Sequence, residues 1–307
     1  MSVRSSLYYR RGAGGKVAIE DMRFSTGQRF FVHAGTGTDG TAYGFTPDKP
    51  FATIDYAIGK CTASKGDIIY VMPGHTESIS SATGCVLDMA GVQIIGIGSG
   101  RLKPQITVDT ATTATISVTA ANCLIENVDI ITNFLDVAAV ITVAATADGL
   151  TLRKVNFFDT SVILGALVGI TVAAGVTDMT IEQCKYYGIA LTAAATNFLL
   201  CAGATSRLVV RDCYVKGDFS DGVIVATAAQ SLDVLFKDLL IVNMSETGKG
   251  INLKSDTTGA ADNVMAYLED ETGNEKAITG AALFMTDRVR QTNVVTASPF
   301  LCIAADS

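Results

Sequence analysis

Few side chains in this 307-residue chain could do chemistry. There are two histidines, His33 and His75, and only His75 has a carboxylate close by, Glu77 in PGHTE. Two donors could touch a metal, but a stable site takes three or four, and two imidazoles give general-base catalysis little material. Asp218 and Asp221, in KGDFSDG, could make a carboxylate pair of the kind that protonates a leaving group and activates water. Runs of Asp, Ser and Gly are more ordinarily solvated turns. The glycine-rich AGTGTDG at 34–40 lacks the Lys-Ser/Thr ending of a phosphate loop and reads as a turn. Seven cysteines, an odd number without a CxxC pair, argue against disulfides; several fall where a free thiol serves as a small apolar side chain. No catalytic, cofactor-binding or metal-binding residue is assigned, and no cofactor is expected.

The bulk numbers narrow the class. Charged residues make up 17% of the chain and the net charge is −7, which leaves no basic surface for nucleic acid. Mean hydropathy is positive, and the apolar content is rich in Ala, Val and Ile beside abundant Thr and Gly, a mixture suited to closely stacked strands. The amino-terminal MSVRSSLYYRRGAGG has no apolar core of a signal peptide, so synthesis and folding in a cytoplasm are expected. Stretches 160–177 and 186–206 carry no charge. Gly, Thr and Asn interrupt them and a repeat runs through both, so no membrane span is assigned.

That repeat defines the elements on which any chemistry would have to sit. VQIIGIGSG at 92–100, CLIENVDII at 123–131, LTLRKVNFF at 150–158, MTIEQCKYY at 179–187 and LVVRDCYVK at 208–216 share one pattern: apolar, variable, apolar, two residues that need no burial, then apolar or thiol. The pattern predicts inward positions at Val92, Ile94 and Ile97, and likewise at Cys123, Ile125 and Val128, through to Leu208, Val210 and Cys213. Alternation with period two marks a strand, and the two-residue interruption marks a corner. Another strand column precedes this one in each turn, starting at Ile116, Ile141, Ile170, Phe198, Val223 and Ile251, with spacings of 25, 29, 28, 25 and 28 residues. A period of this size with several short strands signals a solenoid, whose turns stack at about 4.8 Å around a shared core.

The corner carries Glu126, Arg153, Glu182 and Arg211 on successive turns, so stacked neighbours alternate in charge and attract. They are expected in one exposed line. The second corner residue is Gly96, Asn127, Lys154, Gln183 or Asp212, several of which tolerate a left-handed backbone. At the front, PFATIDYAIGK at 50–60 reads as a short capping helix, with Phe51, Ile54 and Ile58 on one side and Asp48 as its cap. Register loosens at the back. The turn at 232–241 needs two extra residues, and 262–307 shows no period. The expected organisation is an arm at 1–29, an all-β parallel β-helix at 30–261, and a cap or assembly segment at 262–307.

The stretch 30–77 (FFVHAGTGTDGTAYGFTPDKPFATIDYAIGKCTASKGDIIYVMPGHTE) resembles the opening of pectin-lyase-like right-handed parallel β-helix proteins, especially those among phage virion proteins, and VQIIGIGSG is similar to their next turn. The resemblance, extending over about 30–255, implies the fold; the architecture hosts enzymes, spikes and inert parts alike. In enzymes of this family that cleave polysaccharides, chemistry sits on outward residues of the first strand of each turn and on the loops after the third strand. Here those positions are expected to be Ser117, Thr142, Thr171, Leu199, Ile224 and Asn252, none of them an acid or a base.

Partner surfaces are more visible than a catalytic one. Ile163, Leu164, Leu167, Tyr186, Tyr187, Ile189 and Leu191 cannot all fit within a narrow solenoid, so an apolar outer patch at a subunit interface is expected. Arg4, Tyr8, Tyr9, Arg10 and Arg11 belong to a basic, aromatic arm that could order on a neighbour or stay a disordered tail. Together with the resemblance, these features lead to the expectation of a non-enzymatic phage virion protein. Its expected form is a homotrimeric capsid decoration protein that binds other virion proteins, the major capsid protein first among them, with no nucleic-acid or membrane partner. The alternatives are a tailspike-type depolymerase with an intersubunit cleft fed by Asp136, Asp159, Asp218 or Asp221, and a cell-surface adhesin.

Overall fold

A computed structural model describes residues 8–10, 16–18, 25–161, 163–189, 195–269, 276–280, 283–293 and 303–304. Their architecture is a right-handed parallel β-helix. Each turn contributes a strand to a first column, for which the series runs Cys85–Leu87, Ile116–Val118, Ile141–Val143, Val168–Val172, Asn197–Cys201, Ile224–Ala226, Ile251–Leu253 and Ile278–Thr279. The chain then bends into a second column, including Leu124–Glu126, Thr151–Arg153, Thr180–Glu182 and Val209–Arg211. A sharper bend leads into a third, including Asp129–Thr132, Asn156–Asp159, Lys185–Tyr187 and Tyr214–Gly217. Within each column every strand pairs in parallel with its counterpart one turn away.

Alternation buries one side of each strand. Ile125, Leu152, Ile181 and Val210 are register partners in that order, and all are buried. The thiols of Cys123, Cys184, Cys201 and Cys213 lie inside among them. Larger side chains fill the wide part of the core, where Phe157, Tyr186, Phe198 and Phe219 contact one another with ring centroids 5.3–6.0 Å apart.

The bend between second and third columns rests on one left-handed residue per turn. Asn127, Lys154, Gln183 and Asp212 have φ between 53 and 57°. Each directs its N–H to a carbonyl of the next turn: Arg153, Glu182, Arg211 and Lys237 respectively, at 3.0–3.1 Å. The same conformation recurs at Asp238, Asn263 and Arg288. Gly96 departs from the expectation. It is a strand residue, and a Cβ there would lie 2.0 Å from the Asn127 carbonyl oxygen. After it the chain makes an excursion through the 3₁₀ turn Gly100–Leu102, so Ile97 is not an inward residue. It packs outside, with Ile95, on Phe31, Ile68, Tyr70 and Met72. The buried Pro104 fills the place of Val128, because Gln105 is the partner of Asp129.

The first column is shifted by one residue in two turns. Ile170 pairs with Leu199, and Leu199 with Ile224, rather than with Phe198 and Val223. Both neighbours are apolar and buried too, so alternation there cannot fix register; pairing does. The outward residues are therefore Leu200 and Val225, not Leu199 and Ile224. The turn after Asp212 needs no extra residues either. Val234, Phe236 and Leu239 take the inward places, with Phe236 opposite Val210. Nor does the solenoid stop at 261: the strand Thr258–Leu268 crosses that boundary, and Leu283–Asp287 and Arg290–Asn293 pair with it in parallel. Ala261 and Ala266, inward and opposite Phe236 and Ile241, lack the bulky apolar signature that would have revealed the repeat.

The charged corner is a register ladder, with Glu126 opposite Arg153, Arg153 opposite Glu182 and Glu182 opposite Arg211. It is less exposed than expected, since Glu126 and Glu182 are buried beneath the arginines. Glu182 accepts from both Arg153 and Arg211. Burial opposes its charge, but the two guanidinium groups outweigh that and hold its pKa below the ordinary Glu value.

At the front, Ile54–Ile58 is a helix with Ile54 and Ile58 buried beside Phe51. Its cap is Thr53, not Asp48: the Thr53 hydroxyl accepts the Tyr56 N–H, and Asp39 accepts from Ala52 N, Thr53 N and Thr53 Oγ1. Of the expected arm, Tyr8–Arg10 pairs antiparallel with Lys16–Ala18; Arg4 and Arg11 lie outside the described residues. Residues 25–29 belong to the solenoid. Arg29 is opposite Ile68, and Gln28 donates its N–H to Asp67 at 2.6 Å.

Leu152→Asp would bury an unpaired carboxylate at the centre of this stack. Loss of soluble protein is expected, whereas Leu152→Ala should fold with about 2–5 kcal/mol less stability by denaturant titration.

Candidate functional site

The surface on which related folds could carry chemistry is the outward face of the first column. Pairing places Val86, Ser117, Thr142, Thr171, Leu200, Val225, Asn252 and Thr279 there, one per turn. Hydroxyls, one amide and aliphatic groups line this face, and its bottom two residues are joined by a hydrogen bond from Thr279 Oγ1 to Asn252 Oδ1 at 2.9 Å. No group among these eight takes or gives a proton near neutral pH.

Chemistry-bearing residues elsewhere are committed to structure. His75 is fully buried; its Nδ1 accepts the Ala34 N–H at 3.1 Å, so Nε2 carries the proton and points it at Glu77 Oε2, 3.1 Å away. Glu77 also accepts the Ile54 N–H at 3.0 Å. The pair thus ties the loop after the strand Arg29–Val32 to the cap helix. His33 contacts the Thr36 hydroxyl at 3.0 Å. Among the described residues, no three His, Cys, Asp or Glu side chains converge as metal ligands. Asp218 is half-buried and Asp221 exposed, both in the loop leading to Ile224–Ala226; Asp136 is exposed three turns away.

One acid was legible only as a loop residue and proves otherwise. Asp159 ends the strand Asn156–Asp159, where alternation with Phe157 points it inward. Its carboxylate accepts the Tyr186 hydroxyl, 3.3 Å from each oxygen, and backbone N–H groups of Ala166 and Ile189. Burial pushes its pKa up to about 6, against the opposing pull of those three donors. Tyr186 is pushed up in turn, first by burial and then by the Asp159 charge. This group sits where two loops join the core, and it pins both.

Those loops hold most of the expected interface. Ile163 and Ile189 are 59% and 40% exposed, and Leu164 and Leu167 are half-buried. Tyr186 does not belong to the patch: it is 1% exposed and stacks within the core. The solenoid is wide enough there to hold it because Gly169 and Gly188 leave room beside its ring, where a Cβ would lie 3.4 and 3.2 Å from ring carbons. Tyr187, half-buried on the outer side of the third column, stacks on Phe158 at 5.2 Å and an interplanar angle of 11°. Leu191 lies outside the described residues. For the arm, Tyr8, Tyr9 and Arg10 form one strand of the small antiparallel pair.

No protein-family model matches the chain, and no curated protein matches it in sequence. Among solved structures it is similar to a rhamnogalacturonan lyase, with a TM-score of 0.57 and 14% identity, over 79% of this chain and 69% of that one. It is also similar to a GH136 lacto-N-biosidase from Eubacterium ramulus, with a TM-score of 0.44 and 10% identity, over 87% and 68%. The first of these establishes the class of fold, a pectin-lyase-like parallel β-helix. At such identities the likeness concerns the backbone path.

The Asp159 shift has a definite sign. Its carboxyl titrates near 6 when folded against 3.8 as the ordinary value, so the native state holds the proton more tightly. The associated contribution makes the protein more stable as pH falls from about 7 towards 4, by up to roughly 3 kcal/mol. Asp159→Asn should flatten this dependence. Parallel stability curves for wild type and variant between pH 7.5 and 5 would contradict the assignment.

Proposed function

We propose that this chain is a non-enzymatic virion structural protein that acts by assembly: a homotrimeric capsid decoration protein, made in the host cytoplasm and bound to the major capsid protein. The observation that carries this reading is the outward face of the first column, eight residues long and without an acid, a base or a cation. Cleaving a glycosidic bond needs a proton donor or acceptor held beside it, commonly with a second charged group. Exposed Ile163 and Ile189 supply apolar area for association instead. The resemblance of 30–77 to phage virion β-helix proteins supports the setting, and the amino-terminal strand pair offers an attachment element.

A second reading is a tailspike-type depolymerase with carboxylates gathered between subunits. Enzymes acting on glycans share the backbone path, and Asp218 and Asp221 sit on a loop beside the first column. One comparison separates the readings. Asp218→Asn/Asp221→Asn should leave every property unchanged, while Ile163→Asp/Ile189→Asp should fold normally yet lose oligomerisation or particle binding. Release of reducing or unsaturated sugar ends by wild type, abolished in the Asp→Asn variant, would establish the depolymerase.

A further inference from the structure

Residues 137–147, 160–177, 186–206 and 222–232 contain no charged side chain. In four successive turns these runs cover a first-column strand, the bend leaving it, and all or part of the loop entering it. The two ends of the strands differ in shape. The two middle entering loops present large apolar side chains, with Ile163 and Ile189 exposed. The leaving bends are small, with Ala145, Ala174 and Ala202 exposed. They are also tightly stacked, since a Cβ on Gly203 would lie 2.3 Å from that of Ala174. One edge of the face is a row of knobs and the other a smooth shelf.

Resting on the assembly reading above, we propose that this face is covered by a second copy of the same chain, with solenoid axes parallel and the loop edge of each copy seated on the bend edge of the next. Three features select that occupant and that arrangement. Charge is absent from the four strands, the bends leaving them and the two middle entering loops, as at the core of a subunit interface. Acids stand only at the ends of the row, Asp136 in the first entering loop and Asp218 and Asp221 in the last. Rows repeating at about 4.8 Å are matched along their whole height only by a surface of the same spacing, which a parallel solenoid provides. Unlike edges meet only around a symmetry axis parallel to the solenoid axis, and such a closed ring has no translation along it. Residues that flank one strand therefore meet at equal height: Ile163 of one copy faces Ala174 of the next, and Ile189 faces Ala202. A two-fold axis across the solenoid would instead set loops on loops and bends on bends.

Cysteine pairing tests this arrangement. In a Cys302→Ser background, Ile163→Cys/Ala174→Cys introduces two exposed thiols, while the other native cysteines are buried. Within one chain the two positions flank Val168–Val172, about 16 Å of strand, beyond disulfide reach. Mild oxidation should link chains covalently in the double variant at least tenfold more than in either single variant. Ile189→Cys/Ala202→Cys should do the same one turn on and serves if the first pair impairs folding. Equal cross-linking of a single variant would overturn the arrangement in favour of like-on-like contact. A non-covalent oligomer by native mass spectrometry that neither double variant cross-links would overturn it while leaving assembly standing. A monomeric wild type would overturn it as well; failure of the non-enzymatic reading is seen separately, in sugar release.

Discussion

Everything in this molecule is hung on the left-handed bend between the second and third columns. A backbone residue at positive φ costs roughly 1 kcal/mol or more for a side chain larger than glycine, and this chain repeats it with Asn, Lys, Gln, Asp and Arg. The conformation persists because the N–H at the bend is held by a carbonyl of the adjoining turn. The inward residues on either side, Ile125 and Ile130, Leu152 and Phe157, Ile181 and Tyr186, are five apart in each turn. With that distance fixed, one turn's register dictates the next.

Two buried acids show how location decides the sign of a charge. Glu182 and Asp159 both expose little surface, though Asp159 lies deeper in the protein. Glu182 lies between Arg153 and Arg211 and stays ionised more firmly than a free glutamate. Asp159 has neutral donors only, and burial prevails. The first acid strengthens the stack along its axis at ordinary pH. The second joins two loops to the core through donors that favour the carboxylate, at a site whose burial favours the protonated form.

The fold was legible in the sequence because period-two burial recurs with the same side-chain classes at 123–131, 150–158, 179–187 and 208–216. It faded where that contrast failed. At Phe198 and Val223 several consecutive apolar residues offered two acceptable registers, and only pairing chose between them. Around 261 alanines take inward places that large side chains hold one turn earlier, Ala261 opposite Phe236 and Ala266 opposite Ile241, and they do not announce burial. Tyr186 was misplaced for a different reason: its polar tip suggests a surface, but Asp159 satisfies that tip inside. The emptiness of the first column survived the shift in register, since the residues exchanged were aliphatic on both sides. The His75–Glu77 pair was visible as a motif, while its structural employment depended on an N–H from Ala34, distant in sequence.

Length varies unevenly around the turn. From the inward residue of the third column to that of the next first-column strand, the chain spends eleven residues after Ile130, thirteen after Phe157 and Tyr186, and nine after Val215. Since the bend re-establishes the path in each turn, residues added to such a loop move nothing above or below it. Each loop is thus an independent site of variation, ordered by height along a rigid rod. A lineage could exchange one without renegotiating the others, so the surface can diversify faster than the scaffold that presents it.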